Sequence, residues 1–173
     1  MKKTFYININ NNSIRSSLYF CIFLLFFTAC NDNTTLPDDD NLQLKTLVGT
    51  KWKFIGFTEE STGNISKIDS EYDCNNCFTL KFENDSLIAG FTTVNDLHII
   101  YTANYKENEL TIFSVFGTKV NESEIGKKYI DIFTNMTYIK PTKYLATEKN
   151  LKIFYDNNNK YLNYYRIKDN TFK

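Results

Sequence analysis

Two cysteines separated by two residues, Cys74 and Cys77, are the pair most suited to redox chemistry in this chain. A redox site with this spacing lies at a helix N-terminus, where the helix dipole favours the thiolate. Here a strand-like alternation follows the pair, and the neighbouring Asp73 adds negative charge that disfavours a thiolate. Because such a pair oxidises outside the cytoplasm, we predict a structural disulfide that closes a tight turn.

His98 is the single histidine of the chain, so a Ser-His-Asp or Cys-His site would have to use it. No Gly-x-Ser-x-Gly or similar nucleophile motif accompanies it. Alternation places it on the strand face opposite Leu97 and Ile99, so we expect a histidine at the surface or at the mouth of a barrel. Two cysteines without a nearby histidine also fall short of the four ligands of a zinc site. We therefore predict no metal and no cofactor.

Acidic residues gather in two loop-like stretches, Glu59-Glu60 and the group of Asp69, Glu71 and Asp73. Two carboxylates could perform acid–base chemistry on a glycan if a cleft held them about 5–10 Å apart. Both stretches also contain Ser, Thr or Gly, so we interpret the acids as solvated loop charges. The chain also lacks a Gly-rich phosphate loop that leads into a helix. We predict that the protein is not an enzyme.

Alternating apolar and polar residues dominate the chain from Leu44 onward, a pattern typical of strands with one buried face. Polar spacers separate the alternating runs and are as short as the turns of antiparallel hairpins. From Glu122 to Met136 the apolar residues instead recur at spacings of three and four, which predicts an amphipathic helix. We predict an α+β, mostly β fold in which a curled antiparallel sheet, open and barrel-like, packs on one helix.

Trp52 and Phe54 lie two positions apart and share one face of the first predicted strand. An antiparallel sheet buries one face against another layer, and the helix offers the long apolar stripe that this requires. We therefore predict that Trp52 and Phe54 anchor the core beneath the helix.

Aromatic residues crowd the last two runs of the chain, with Phe154 and Tyr155 on one run and Tyr161, Tyr164 and Tyr165 on the other. Alternation gives aromatic side chains to both faces of these strands. An exposed aromatic row could hold a partner strand or a sugar. We favour the other interpretation, in which both faces are covered and the helix covers one of them.

The composition argues against a disordered chain and against a nucleic-acid-binding protein. The 173 residues are 42% hydrophobic and 16% aromatic, which is too rich in core-forming residues for a disordered chain. The 20 basic and 20 acidic residues balance to a net charge of zero. A nucleic-acid-binding protein normally carries a basic excess, so we predict no nucleic-acid partner.

The N-terminus has the features of a bacterial lipoprotein signal. Basic residues precede an unbroken apolar run at 18–27, which is too short to span a bilayer. The run ends in Phe-Thr-Ala-Cys, a sequence that resembles the lipobox whose cysteine is lipidated, and this cysteine is Cys30. We predict a signal peptide at 1–29, a lipidated Cys30 with a flexible acidic tether at 30–43, and a β-rich domain at 44–173. An ordinary signal peptide cut by another peptidase is the alternative.

The order of the domain's landmarks resembles META domains, the HslJ-like family, in a subgroup found as Bacteroidetes lipoproteins. The resemblance lies in the opening Leu47-Val48-Gly49-Thr50-Lys51-Trp52, in the run 77–82 followed by Gly90 and Asn95, and in the final hairpin. The usual Gly-to-Asn segment of the second block is altered here. The resemblance implies a β-rich fold with one helix and assigns no reaction.

Together these features predict a non-enzymatic lipoprotein of the cell envelope with a META-like domain and a binding or envelope-supporting role. Its expected location is the outer membrane, attached through the lipid at Cys30 on either the periplasmic or the outer face. An envelope protein or a glycan is the expected partner. The alternative is a secreted enzyme or inhibitor-type module that acts on glycans or proteases.

Replacing Cys30 with alanine should release the protein from the membrane, because each buried CH₂ of an acyl chain contributes about 0.8 kcal/mol of membrane affinity. Detergent phase partitioning of the wild type and Cys30→Ala measures this directly. We expect the wild type in the detergent-rich phase and the variant in the aqueous phase. If both forms partition to the aqueous phase, Cys30 carries no lipid.

Overall fold

The structure is a computed structural model that describes residues 43–137 and 140–168. The predicted signal peptide, Cys30 and all but the last residue of the predicted tether lie outside the described residues. Within those two ranges, no helix has both the length and the apolar character needed to cross a membrane.

Strands dominate the described chain. The elements are β1 (Lys51–Glu59), β2 (Ile65–Lys67), β3 (Thr79–Phe82), β4 (Leu87–Phe91), β5 (Asp96–Asn104), β6 (Glu109–Gly117), α1 (Glu124–Asn135), β7 (Thr142–Ala146), β8 (Asn150–Tyr155) and β9 (Lys160–Ile167). Short polar turns connect the hairpins. In the β8–β9 turn, Asn157 and Asn158 adopt positive φ angles of 53° and 67°, a conformation that asparagine tolerates better than most residues.

The strands form one antiparallel sheet in the order β2-β1-β3-β4-β5-β6-β7-β8-β9. β1 additionally pairs with β9, from Lys51 opposite Ile167 to Glu59 opposite Lys160, so the sheet closes into a ring. β6 and β7 share the residue pairs Glu109–Lys143 and Leu110–Thr142, and this short contact keeps the ring from being a regular barrel. The prediction of a mostly β fold with a curled antiparallel sheet and one helix is confirmed.

The core fills the inside of the ring, where apolar side chains from alternate positions of the strands meet. Trp52 has no exposed surface and Phe54 is 2% exposed. The Phe54 ring lies 5.0 Å from the ring of Tyr129 on α1, so Phe54 lies directly beneath the helix. The Trp52 indole donates a hydrogen bond of 2.7 Å to the Thr50 hydroxyl. Burying an aromatic side chain of this kind contributes about 1.5–3 kcal/mol to stability.

The helix begins where the periodicity predicts, within two residues. Ser123 is its N-cap, and the Ser123 hydroxyl accepts a hydrogen bond of 3.1 Å from the Gly126 amide. Tyr129 and Phe133 point inward and are fully buried. The Tyr129 hydroxyl lies 2.9 Å from the Tyr164 hydroxyl of β9, so the helix is joined to the ring by both apolar packing and a buried hydrogen bond.

A buried carboxylate, Glu122, joins the loop before α1 to the β4–β5 turn. Its oxygens accept hydrogen bonds from the hydroxyls of Thr92 and Thr93 and from the Asn95 side-chain amide at 2.9 Å. They also accept one from the Ser123 backbone amide at 3.0 Å. We call this group the Glu122 latch. Because a buried charge is costly unless it is hydrogen-bonded, these donors explain how the carboxylate is tolerated.

The Asn95 side chain extends the latch to the loop that connects β6 with α1. Its carbonyl oxygen accepts hydrogen bonds from the Thr118 hydroxyl at 3.0 Å and from the Val120 amide at 2.7 Å. Its amide nitrogen donates to the Val120 carbonyl at 3.0 Å. Gly126 leaves the space that the Glu122 carboxylate occupies, because a Cβ at this position would lie 2.3 Å from a Glu122 carboxylate oxygen. The path of the chain from β6 into α1 is therefore fixed by side-chain hydrogen bonds.

Glu122→Ala should lower the free energy of unfolding by about 3 kcal/mol, because it leaves several buried donors without an acceptor. Urea denaturation followed by circular dichroism measures the effect. Glu124→Ala is the matched control, since this nearby carboxylate is exposed and pairs with Lys127 on the helix surface, where ion pairs contribute little. Equal loss of stability in the two variants would contradict a structural role for the latch.

Candidate functional site

An open groove of about 700 Å³ lies where β1 begins, β9 ends and the β7–β8 turn meets them. Six of its lining residues carry charge or an aromatic ring: Lys51, Glu148, Lys149, Tyr165, Arg166 and Lys168. We call it the cationic groove.

Strand pairing brings these residues together from three distant parts of the chain. Lys51 on β1 lies opposite Ile167 on β9, and Asn150 on β8 lies opposite Tyr165. The Arg166 backbone amide donates a hydrogen bond of 2.8 Å to the Lys149 carbonyl in the β7–β8 turn. The groove therefore exists because the ring closes, and its walls belong to the rigid sheet as well as to a turn.

Positive charge is concentrated in the cationic groove. Among the residues that the structure describes, its lining has four basic side chains and one acidic side chain, Glu148, which pairs with the Arg166 guanidinium. The chain that follows Cys30 holds 17 basic and 20 acidic residues, a net charge of −3. The described lining of the groove thus holds more basic than acidic side chains, in contrast to the acidic balance of the chain after Cys30.

Tyr165 supplies an apolar surface in the same groove. It is 45% exposed, and it faces outward because the preceding Tyr164 is fully buried inside the ring. The Arg166 guanidinium carbon lies 5.9 Å from the centre of the Trp52 ring. At this position the groove is therefore next to the core, at the end of the ring. The groove therefore spans the end of the ring, with Tyr165 on the outer face of β9 and Arg166 on the inner face beside Trp52.

A disulfide joins Cys74 and Cys77 in the loop before β3. This loop encloses Lys53 of β1, which is 5% exposed. The Lys53 ammonium donates hydrogen bonds to the Cys74 and Cys77 carbonyls at 2.5 and 2.6 Å and forms an ion pair with Asp73 at 2.8 Å. The loop thus acts as a clamp on β1. Alternation assigns Lys53 to a solvated strand face, so its burial could not be predicted from the sequence.

His98 lies on the outer face of β5, half-buried, in keeping with its predicted position opposite Leu97 and Ile99. Its ring stacks on Phe116 of β6, with 5.3 Å between the ring centres. Phe116 itself is 51% exposed. His98 is therefore part of an outer aromatic pair on β5 and β6.

The carboxylates considered in the sequence occupy exposed positions. Glu59, Glu60, Asp69 and Glu71 are all exposed, and Asp73 is paired with Lys53 as described above. Across residues 43–137 and 140–168, no three His, Cys, Asp or Glu side chains are grouped so that they could hold a metal ion.

The aromatic residues of the final hairpin divide into covered and exposed members. Phe154 and Tyr161 lie on the outer face but are each 7% exposed, with ring centres 5.5 Å apart. The Lys152 ammonium lies 4.5 Å from the centre of the Tyr161 ring and contributes to this cover. Tyr165 is the exposed member, and it is the one that lines the cationic groove.

The tyrosines of the core have the most perturbed acidities. Burial raises the pKa of Tyr129 and of Tyr164, whose hydroxyls face each other inside the ring. Burial also raises the pKa of Tyr144 to about 12. A higher pKa keeps each hydroxyl neutral, which suits a residue that packs in the core. These shifts therefore reflect packing inside the ring and lie away from the groove residues.

Comparison with known proteins supports the fold and assigns no activity. No protein-family model matches the chain, and no curated protein matches it. A DUF4847 family protein from Bacteroides vulgatus is similar in structure, with a TM-score of 0.53 and 12% identity over 73% of this chain and 98% of that one. A protein from Burkholderia xenovorans solved by NMR has a TM-score of 0.52 and 19% identity over 70% of this chain and 83% of that one. At these identities the likeness shows a shared fold alone.

Proposed function

We propose that this protein is a lipid-anchored, non-enzymatic lipoprotein of the cell envelope whose META-like domain binds an anionic envelope component. The membrane attachment in this proposal is the lipid at Cys30, and the binding surface is the cationic groove. The observation that carries the proposal is a concave site at the end of the ring whose described lining includes four basic side chains and one acidic side chain.

Outside the groove, the side chains with strong polar interactions hold the fold together. We therefore assign the binding role to the groove. Glu122 secures the path of the chain into α1. Lys53 holds the disulfide loop against β1. The groove differs from both of these, since Lys149 and Lys168 are exposed at the end of the ring and its described lining holds more basic than acidic side chains. An exposed positive excess in a cleft raises the local concentration of an anionic partner.

A predicted tether connects this site to the membrane. The Leu44 amide is hydrogen-bonded to the Ala146 carbonyl at 2.8 Å, and Gly49 and Glu148, close by along the chain, both line the groove. The 13 residues between Cys30 and Leu44 span at most about 45 Å when fully extended. A partner in the envelope would then lie within reach of the groove at a high effective concentration.

Reversing two charges in the groove should abolish binding to the envelope. We expect Lys149→Glu/Lys168→Glu to weaken co-sedimentation of the purified protein with isolated envelope material at least about tenfold, a loss of about 1.4 kcal/mol. Binding of the wild type should also fall as salt is raised, because salt screens exposed charges.

The control Lys106→Glu/Lys119→Glu makes the same change in net charge at exposed positions outside the groove, and it should bind like the wild type. If both double variants lose binding equally, net charge governs the interaction and the groove is not the binding surface.

A further inference from the structure

The surroundings of the disulfide between Cys74 and Cys77 suit reversible thiol chemistry. We propose that this pair exchanges its disulfide with two thiols of a partner protein, so that the partner gains a disulfide and Cys74 and Cys77 are reduced. Neither cysteine lines the cationic groove, so this inference goes beyond the proposed binding function. It adds a chemical role to the structural role that the sequence predicts for the disulfide.

The two cysteines differ in exposure. Cys74 is exposed, whereas Cys77 is 4% exposed and packs in the core. Thiol–disulfide exchange begins when a thiolate attacks one sulfur of the disulfide, and access decides which sulfur is attacked. An incoming thiolate therefore reacts at Cys74, and Cys77 is the leaving group.

Cys74 borders an open depression on the outer face of the sheet. The depression has a volume of about 520 Å³, and its lining includes Cys74 and Asn76 of the loop, Thr79 of β3 and Gly90 of β4. Sites of roughly 300–1,000 Å³ are large enough for a small ligand, and a few side chains of a protein segment occupy a similar space. The segment around a partner's cysteine can therefore dock next to Cys74.

Two groups favour negative charge at Cys74. The Cys77 backbone amide donates a hydrogen bond of 3.0 Å to the Cys74 sulfur. The Lys53 ammonium lies against the same loop, where it donates hydrogen bonds to the carbonyls of both cysteines. A hydrogen-bond donor and a nearby cation both favour a thiolate. Cys74 is therefore suited to leave as a thiolate when a mixed disulfide with the partner is resolved.

Asp73 disfavours a reactive pair when the sequence is considered alone, because its negative charge opposes a thiolate. In the structure the Asp73 carboxylate forms an ion pair of 2.8 Å with the Lys53 ammonium, so the loop balances this charge. The Cys77 amide and the Lys53 ammonium thus provide the donor and the positive charge that a helix N-terminus provides in other redox pairs.

The loop has bonds that do not depend on the disulfide. The hydrogen bonds and the ion pair of Lys53 leave the sulfur atoms out. The Thr79 hydroxyl donates a hydrogen bond of 3.0 Å to the Asn76 carbonyl, and the Cys77 amide lies 3.1 Å from the Cys74 carbonyl oxygen that accepts from it. A disulfide that closes a short loop also stabilises a fold less than one that closes a long loop. We therefore expect the loop to keep its path when the pair is reduced.

The exchange consists of two displacements at sulfur. A partner thiolate attacks the Cys74 sulfur, the bond to Cys77 breaks, and Cys77 leaves as a thiolate that takes a proton from water. The Cys77 thiol can then donate to the Thr93 carbonyl oxygen, which lies 3.8 Å from the Cys77 sulfur.

In the second displacement, the partner's other thiolate attacks the partner sulfur of the mixed disulfide and releases Cys74 as a thiolate. The partner's dithiol loses two electrons, and Cys74 and Cys77 gain them. The two protons of the partner's thiols pass to water or to the reduced cysteines. Each copy of the protein therefore oxidises one dithiol.

Reaction of the folded protein with a dithiol peptide tests the inference. The full-length protein, purified in a neutral detergent, is mixed at pH 7 with an excess of the reduced peptide Cys-Gly-Gly-Cys, and mass spectrometry after acid quenching and alkylation counts the thiols. We expect one peptide disulfide for each protein disulfide lost, at a rate about tenfold or more above that of oxidised glutathione at the same concentration. A rate no higher than that of glutathione, or a pair that is reduced only after urea is added, would overturn the proposal.

Single-cysteine variants test the roles of the two sulfurs. Cys77→Ser leaves Cys74 as an exposed thiol, and Cys74→Ser leaves Cys77 as a buried one. At pH 7 we expect Cys77→Ser to react with the neutral disulfide 4,4′-dithiodipyridine about tenfold or more faster than Cys74→Ser. Equal rates, or the reverse order, would contradict the assignment of Cys74 as the sulfur that meets the partner.

Charge variants in the Cys77→Ser protein test the environment of Cys74. Lys53→Met should slow the reaction about tenfold and move the midpoint of its pH profile upward, because the ammonium no longer favours the thiolate. Asp73→Asn should make the reaction faster, which a loop with a purely structural role does not predict. Lys106→Met, at an exposed position on another turn, is the control and should react at the unchanged rate.

Circular dichroism verifies that each variant is folded. If Lys53→Met does not fold, Asp73→Asn decides, because this residue lies on the exposed side of the ion pair. An unchanged or slower reaction in Asp73→Asn would show that charge in the loop does not control Cys74, and it would contradict the proposal.

Discussion

The pairing of β1 with β9 is the interaction on which the rest of the structure depends. It joins the first and last strands of the described domain, from Lys51 opposite Ile167 to Glu59 opposite Lys160. Because side chains alternate between the two faces of a strand, one register sets both the inside and the outside of the ring, and a slip of one residue would exchange them. In the observed register Trp52 packs inside, while the groove residue Lys51 and the exposed Tyr165 face the solvent.

Two buried polar arrangements hold loops against this ring. The Glu122 latch connects the β4–β5 turn to the start of α1, and Lys53 is enclosed by the disulfide loop. In both cases a charged group is taken out of water and its hydrogen bonds are supplied by neighbouring backbone or side-chain groups, which is the condition under which a buried charge is tolerated. These arrangements specify the positions of loops that the apolar core alone would leave loosely defined.

The parts of the fold with a local signal could be predicted from the sequence. Alternation identified the strands, the spacing of apolar residues identified α1, and the shared face of Trp52 and Phe54 pointed to the core. Lys53 and Glu122 could not be found in this way. Each looks locally like an ordinary polar residue of a strand or a helix start, and each becomes buried only through groups that lie 20 or more positions away in the chain. The cationic groove was missed for the same reason, since Lys51 meets Lys149 and Arg166 only when the ring closes.

The central claim is that ring closure builds the binding site, and mapping of amide chemical shifts during titration with a soluble anionic extract of the envelope tests it most directly. The account predicts that the largest shifts fall on Gly49 and Lys51, on 148–150 and on 165–168. The first and last of these segments meet through β1–β9 pairing, and 148–150 joins them through β8–β9 pairing. Shifts concentrated instead on the outer face around His98 and Phe116 would contradict the account, because that face lies on β5 and β6 and owes nothing to the β1–β9 register.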